Sequence, residues 1–136
     1  MSTVLVCDDS PLAREALRRA VATVAGVDRV VVAGSGEECL VRFSAERPDL
    51  VLVDVRMPGP SGLDLQRMLV NSGNDIPIIF VTAHADVPLT VRAMKEGAIE
   101  VLTKPFDDQA FLDLVNSALK TAGERYQQRI KLESLR

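Results

Sequence analysis

The sequence predicts an α/β fold, a doubly wound parallel sheet made of five successive βα units, and three observations carry that prediction. Short runs rich in Val, Ile and Leu alternate five times with longer segments of helical period. The runs are continuously apolar, the pattern of strands buried on both faces in a parallel sheet. Turn and capping residues separate the two kinds of segment, and right-handed crossovers then place helices on both sides of the sheet. With 136 residues, 47% hydrophobic and 26% charged, the chain has the size and composition of one globular domain.

The first strand is expected over Thr3 to Cys7. Ser10 then reads as an N-cap and Pro11 as the first helical residue, and Leu12, Ala16, Leu17, Ala20 and Val24 recur at helical spacing. The second strand runs from Arg29 to Ala33, and Ser35-Gly36-Glu37-Glu38 has the capping-box spacing ahead of Leu40 and Phe43. The same segment, from Gly34, begins like a dinucleotide fingerprint. It follows the second strand, however, and carries Cys39 in place of the third glycine, so a capped helix start is the simpler reading. Leu50 to Val53 is the third strand, and Met57 to Gly62 is a Pro- and Gly-rich loop after it. The fourth and fifth strands are expected over Pro77 to Val81 and Ile99 to Thr103. Further helices are expected over Leu63 to Leu69, Val87 to Glu96 and Asp108 to Leu119, with Gly73 and Gly97 as stops.

Charge and composition exclude several classes. Residues 1–120 hold 12 Lys and Arg against 17 Asp and Glu, while residues 121–136 hold 4 against 2. An acidic domain with a short basic tail lacks the clustered Lys and Arg of a nucleic-acid binder. No apolar run approaches the length of a membrane span, and the N-terminus shows no signal-peptide pattern. Cys7 and Cys39 sit inside apolar patterns and read as small buried hydrophobes of a reducing, cytoplasmic compartment.

In a doubly wound sheet, ligands bind beyond the carboxyl ends of the strands. Asp8 and Asp9 follow the first strand, Asp54 ends the third, Thr82 the fourth and Lys104-Pro105 the fifth. Taken singly, each has an ordinary structural explanation: a helix-start carboxylate, a turn residue, a cap or a surface lysine. Taken together, three carboxylates at adjacent strand ends repel one another unless a cation sits among them. Oxygen donors of this kind suit Mg²⁺, a hydroxyl and a lysine ammonium suit phosphoryl oxygens, and the set points to phosphoryl chemistry.

The order Asp-Asp, then Asp followed by Met-Pro-Gly, then Thr-Ala, then Lys-Pro-Phe resembles the CheY-like receiver domain of two-component response regulators over residues 3–120. Val53-Asp54-Val55-Arg56-Met57-Pro58-Gly59 and Leu102-Thr103-Lys104-Pro105-Phe106 carry the resemblance most closely. It implies a five-stranded sheet in the order 2-1-3-4-5, with Asp54 as phosphoacceptor for a sensor histidine kinase. It further implies Mg²⁺ held by Asp8, Asp9, Asp54 and the backbone carbonyl of Arg56, with Lys104 on the phosphoryl oxygens through a cis Lys104-Pro105 bond. Thr82 becomes the switch hydroxyl, and the small Ala83 beside it leaves room for the phosphoryl group. Such a receiver catalyses only its own phosphorylation and is a switch, not an enzyme.

One position departs from the family. Val101 stands where an aromatic ring usually swings inward, and valine is too stiff and short for that motion, so the chemistry is expected to persist while output coupling differs. His84, on the loop after Thr82, has no partner at metal-ligand spacing and reads as an exposed loop residue or as a modulator of phosphate lifetime. The family's switch face would include Val91, Arg92, Lys95 and Glu100 and would support phosphorylation-dependent homodimers. Residues 1–120 are thus expected to form the receiver and residues 121–136 a helical extension or linker. Glu124 to Leu135 is similar to the linkers of FixJ/NarL-type regulators, which precede a LuxR-type DNA-binding domain; on that reading DNA is contacted only through such an output domain. A complete single-domain receiver acting by docking or phosphate relay is the alternative. A Mg²⁺-dependent phosphatase is a third reading, opposed by Arg56 where a second aspartate would be needed.

Overall fold

The computed structural model describes residues 2–54, 76–82, 100–103 and 107–134, together with Asp64, Arg67, Met68 and Lys95; Thr82 is described through its backbone. Strands β1 (Ser2–Cys7), β2 (Val27–Ala33), β3 (Leu50–Asp54), β4 (Ile78–Thr82) and β5 (Glu100–Thr103) form a parallel sheet in the order β2-β1-β3-β4-β5. Helices α1 (Pro11–Ala22) and α2 (Gly36–Glu46) follow the first two strands, and a C-terminal helix (Asp108–Ser134) closes the described chain. The expected helices over Leu63 to Leu69 and Val87 to Glu96, with their stops Gly73 and Gly97, lie outside the described residues, except that Asp64, Arg67, Met68 and Lys95 are helical.

Strand ends differ from the sequence expectation by one or two residues, for identifiable reasons. β1 and β2 begin early because Ser2 pairs with Val27 and the Ser2 amide donates to the Asp28 carboxylate at 2.9 Å. β4 begins after Pro77, which has no N–H to contribute; its carbonyl still accepts from the Val51 amide at 3.1 Å.

The caps form as their residues predict. Ser10 is extended and its hydroxyl oxygen accepts from the Ala13 amide at 3.3 Å, with Pro11 opening α1. The Ser35 hydroxyl oxygen accepts from the Glu38 amide at 3.1 Å, and the Glu38 carboxylate accepts from the Gly34 amide at 2.8 Å. The capping box therefore closes one residue ahead of the cap and ties the end of β2 to the first turn of α2.

Side-chain alternation along the strands divides the core between the two faces of the sheet. Val4, Val6, Leu50, Leu52, Ile79 and Val81 pack with Leu17 and Val21 of α1 and with Phe111, Val115 and Ala118 of the C-terminal helix. Leu5, Cys7, Val51, Val53, Ile78 and Phe80 pack on the other face with Cys39, Leu40 and Phe43 of α2. Burial on both faces holds for β1, β3 and β4. The edge strands are wetter than the sequence suggests, with Asp28 and Arg29 of β2 and Glu100 and Thr103 of β5 exposed.

Phe80 is fully buried in the central layer. Its truncation, Phe80→Ala, is expected to cost about 3–5 kcal/mol of unfolding free energy, measured by urea denaturation. A loss below about 1 kcal/mol would contradict the packing described.

Candidate functional site

The parallel register builds the site. Cys7 of β1 lies opposite Val53 of β3, so the next residues, Asp8 and Asp54, emerge at one level from neighbouring strands. Adjacent strands are about 4.8 Å apart, and carboxylate oxygens of Asp8, Asp9 and Asp54 lie within 4.8 Å of one another. The β1–β3 boundary is where strand order reverses, because the chain leaves β1 for β2 on one side and returns to β3 on the other. The three carboxylates thus occupy the topological switch point at the carboxyl edge.

Their environments differ. Asp8 is fully buried, Asp54 half-buried and Asp9 exposed. The Asp8 amide donates to the Ala33 carbonyl at 3.1 Å, continuing the β1–β2 ladder one residue past the strand. An Asp8 carboxylate oxygen accepts from the Ser10 amide at 2.9 Å, turning the chain into α1. Behind Asp8, donation of the Cys7 S–H to the Cys39 sulfur together with burial pushes the Cys7 thiol well above its ordinary range, so this sulfur is an inert packing group rather than a nucleophile. Three hard oxygen donors graded from buried to exposed fit a divalent cation such as Mg²⁺ that keeps part of its water shell.

Two participants carry no signal in the sequence. Arg14, one turn into α1, donates from Nη1 to the Asp8 carbonyl oxygen at 2.9 Å. A Cβ on Gly34, at the end of β2, would lie 2.8 Å from that same Nη1. Nothing in the spacing distinguishes Arg14 from Arg18 and Arg19 on the same helix, which pair with Glu15 instead.

The structure brings Asp8, Asp9 and Asp54 together and ends β4 at Thr82, paired in register with Thr103. Arg56, Ala83, His84, Val91, Arg92, Lys104 and Pro105 lie outside the described residues, so the structure does not reach the expected lysine contact, cis bond and carbonyl ligand. Lys95 and Glu100 are exposed, and Val101 is partly buried against the α2-side core. A groove of about 750 Å³ lies at the opposite edge of the sheet, bordered by Phe43, Pro48, Met68 and Tyr126. The site itself is marked by the charge of its three carboxylates.

Residues 4–116 match the family model of the response regulator receiver domain. The chain is 36% identical to the response regulator protein TodT of Pseudomonas putida over 131 residues, covering 91% of this chain and 54% of that protein. It is 47% identical to nodulation protein W of Bradyrhizobium diazoefficiens over 96 residues, covering 71% of this chain and 42% of the relative. Among solved structures, response regulator StyR superposes with a TM-score of 0.83 at 42% identity, covering 98% of this chain and 66% of that one. The receiver domain of a NarL regulator from Mycobacterium tuberculosis gives 0.81 at 28% identity, with 88% and 96% covered. The chain spans about half the length of the curated relatives it matches.

Cation binding at the cluster predicts a thermal signature. Free Mg²⁺ at 100 times its dissociation constant is expected to add about 2.7 kcal/mol to folding stability. The matching rise in melting temperature should vanish in Asp9→Ala and persist in Glu37→Ala, whose side chain lies on α2.

Proposed function

The chain belongs to the response regulator receiver domain family, and on that premise we propose that it accepts a phosphoryl group on Asp54 from a sensor histidine kinase and uses the modification to control an output. The observation that carries the proposal is the cluster of Asp8, Asp9 and Asp54 at the switch point of the sheet. The family is one of switches rather than of turnover enzymes, which leaves no place for the phosphatase reading.

In the proposed reaction a carboxylate oxygen of Asp54 attacks the phosphorus of the kinase's phosphohistidine. The new P–O bond forms as the P–N bond breaks, and the imidazole leaves with the electron pair, yielding an acyl phosphate. Asp54 is half-buried at the end of β3, which fixes its position and leaves it open to the incoming group. Asp8, Asp9 and Asp54, with the Arg56 carbonyl, would hold Mg²⁺, whose positive charge would offset that of the phosphoryl oxygens. Lys104 and the Thr82 hydroxyl take the remaining oxygens, so that the spread charge of the transferring group meets a donor on each side. The small Ala83 is proposed to give the phosphoryl group room beside Thr82, and His84 is assigned no part in the chemistry.

Switching requires an element with two arrangements that phosphate biases unequally. The proposed element is the face carrying Val91, Arg92, Lys95, Glu100 and Val101, and its proposed effect is homodimerisation. Residues 1–120 form the receiver in this reading and residues 121–136 lead to a LuxR-type output that binds DNA. Two observations support that division. The C-terminal helix runs unbroken from Asp108 to Ser134, past the end of the family match. The aligned region makes up only 42% and 54% of the two curated relatives named above, which leaves room in each for a further domain. Among the described residues no helix is long and apolar enough to cross a membrane; the proposed site of action, as for a partner of a sensor kinase, is the cytoplasm.

Incubation with acetyl phosphate and Mg²⁺ should add one phosphoryl group to the intact protein by mass, and none to Asp54→Ala. Equal labelling of the variant would remove Asp54 from its role. Sedimentation with beryllofluoride should shift the protein toward dimer; an unchanged monomer with Asp54 fully modified would exclude dimerisation as the output.

A further inference from the structure

Arg14 occupies a position its helix does not require. The other basic residues of α1 near it, Arg18 and Arg19, pair with Glu15 on the exposed side. Arg14 instead turns back toward the start of its own helix and meets the carbonyl oxygen of Asp8 at 2.9 Å. That carbonyl belongs to the peptide unit joining Asp8 to Asp9. Rotation of this unit swings the two carboxylates relative to each other, so the group that holds the carbonyl also sets how the acidic pair is presented.

Two other groups of Asp8 are also held. The Asp8 amide is bonded to Ala33 and the Asp8 carboxylate to the Ser10 amide. The Arg14 contact adds a third at the Asp8 carbonyl oxygen. On its far side the guanidinium rests against Gly34, where a Cβ would approach Nη1 to 2.8 Å, closer than atoms pack. Gly34 is fastened in turn through its amide to Glu38 of α2. The end of β2 thus forms a wall that only a residue without a side chain provides.

We propose that Arg14, seated against Gly34, is a positioning residue that orients the Asp8–Asp9 peptide and thereby the Mg²⁺ ligands of the site. The inference rests on the reading of Asp8 and Asp9 as those ligands. Arg14 touches neither the cation nor the phosphoryl group; it acts through the backbone of Asp8. Its guanidinium is always charged, so the bond from Nη1 to the Asp8 carbonyl oxygen is charge-assisted and holds that oxygen more firmly than a neutral donor would.

The Gly34 contact separates this role from general stability. The clashing atom is the far end of a flexible side chain, so Gly34→Ala displaces the guanidinium at little cost to folding, while Arg14→Ala removes it outright. Calorimetric Mg²⁺ titration of the intact protein should show affinity falling on the order of tenfold in each variant, the scale of lost support for a metal ligand. The double variant should fall no further than either single one, because both remove the same contact. Arg14→Lys, which keeps a donor and the charge, should recover part of the loss. The Asp9 backbone amide resonance, part of the same peptide, should move in both variants before Mg²⁺ is added, while the melting temperature of Gly34→Ala stays close to wild type. Wild-type Mg²⁺ affinity in Arg14→Ala, or losses that multiply in the double variant, would overturn the positioning role and leave the receiver reading intact. A wild-type protein that takes up no Mg²⁺ would overturn both.

Discussion

Holding three carboxylates within 4.8 Å of one another is the constraint on which the rest of the structure depends. At an effective dielectric of about 20, two unit charges at that distance repel by roughly 3 kcal/mol. Full burial of one Val, Leu or Ile side chain contributes about 1.5–3 kcal/mol, so a few core residues offset each such pair. The sheet supplies them directly beneath the site: Val4 to Cys7 of β1 and Leu50 to Val53 of β3 are buried along their length. The strands that lead into Asp8 and Asp54 are among the most deeply buried of the sheet.

That arrangement separates framework from chemistry along the strand axis. Below the carboxyl edge, alternating residues feed two apolar layers, one under α1 and the C-terminal helix and one under α2. At the edge the same alternation continues into polar residues, and backbone contacts take over. Ser10 begins α1 immediately after the acidic pair, and the Ser10 amide also holds the Asp8 carboxylate. Helix start and cation ligand are thus set by neighbouring atoms of one turn, which ties their geometries together.

The other end of the molecule has a different character. The C-terminal helix leaves the core after Leu119, and Tyr126, Ile130 and Leu132 are exposed large apolar side chains on its outer part. Arg129 lies 5.6 Å over the Tyr126 ring, a local contact that does not draw on the domain core. Val101 in β5 packs against the α2-side core as a short branched side chain. The inward and outward rotation that an aromatic ring would perform at this position is unavailable to it.

Most of the framework and the acidic cluster were legible because they depend on local pattern. Apolar runs located five strands, Ser10-Pro11 and Ser35 located two helix starts, and Asp8, Asp9 and Asp54 stood at strand ends where a doubly wound sheet binds ligands. The length of the C-terminal helix was less legible, since Thr121 to Ser134 is polar and its helicity shows no apolar stripe of the kind that marks α1.

Pattern and motif determined the strand order, the three carboxylates and the family. Tertiary structure alone decided the level at which Asp8 and Asp54 meet, because register is a relation between strands more than 40 residues apart in sequence. It alone placed Arg14 on the Asp8 carbonyl against Gly34, because that contact joins three separate segments and leaves no periodicity in any of them. Local physics writes elements into a sequence; contacts between elements exist only once the chain has closed.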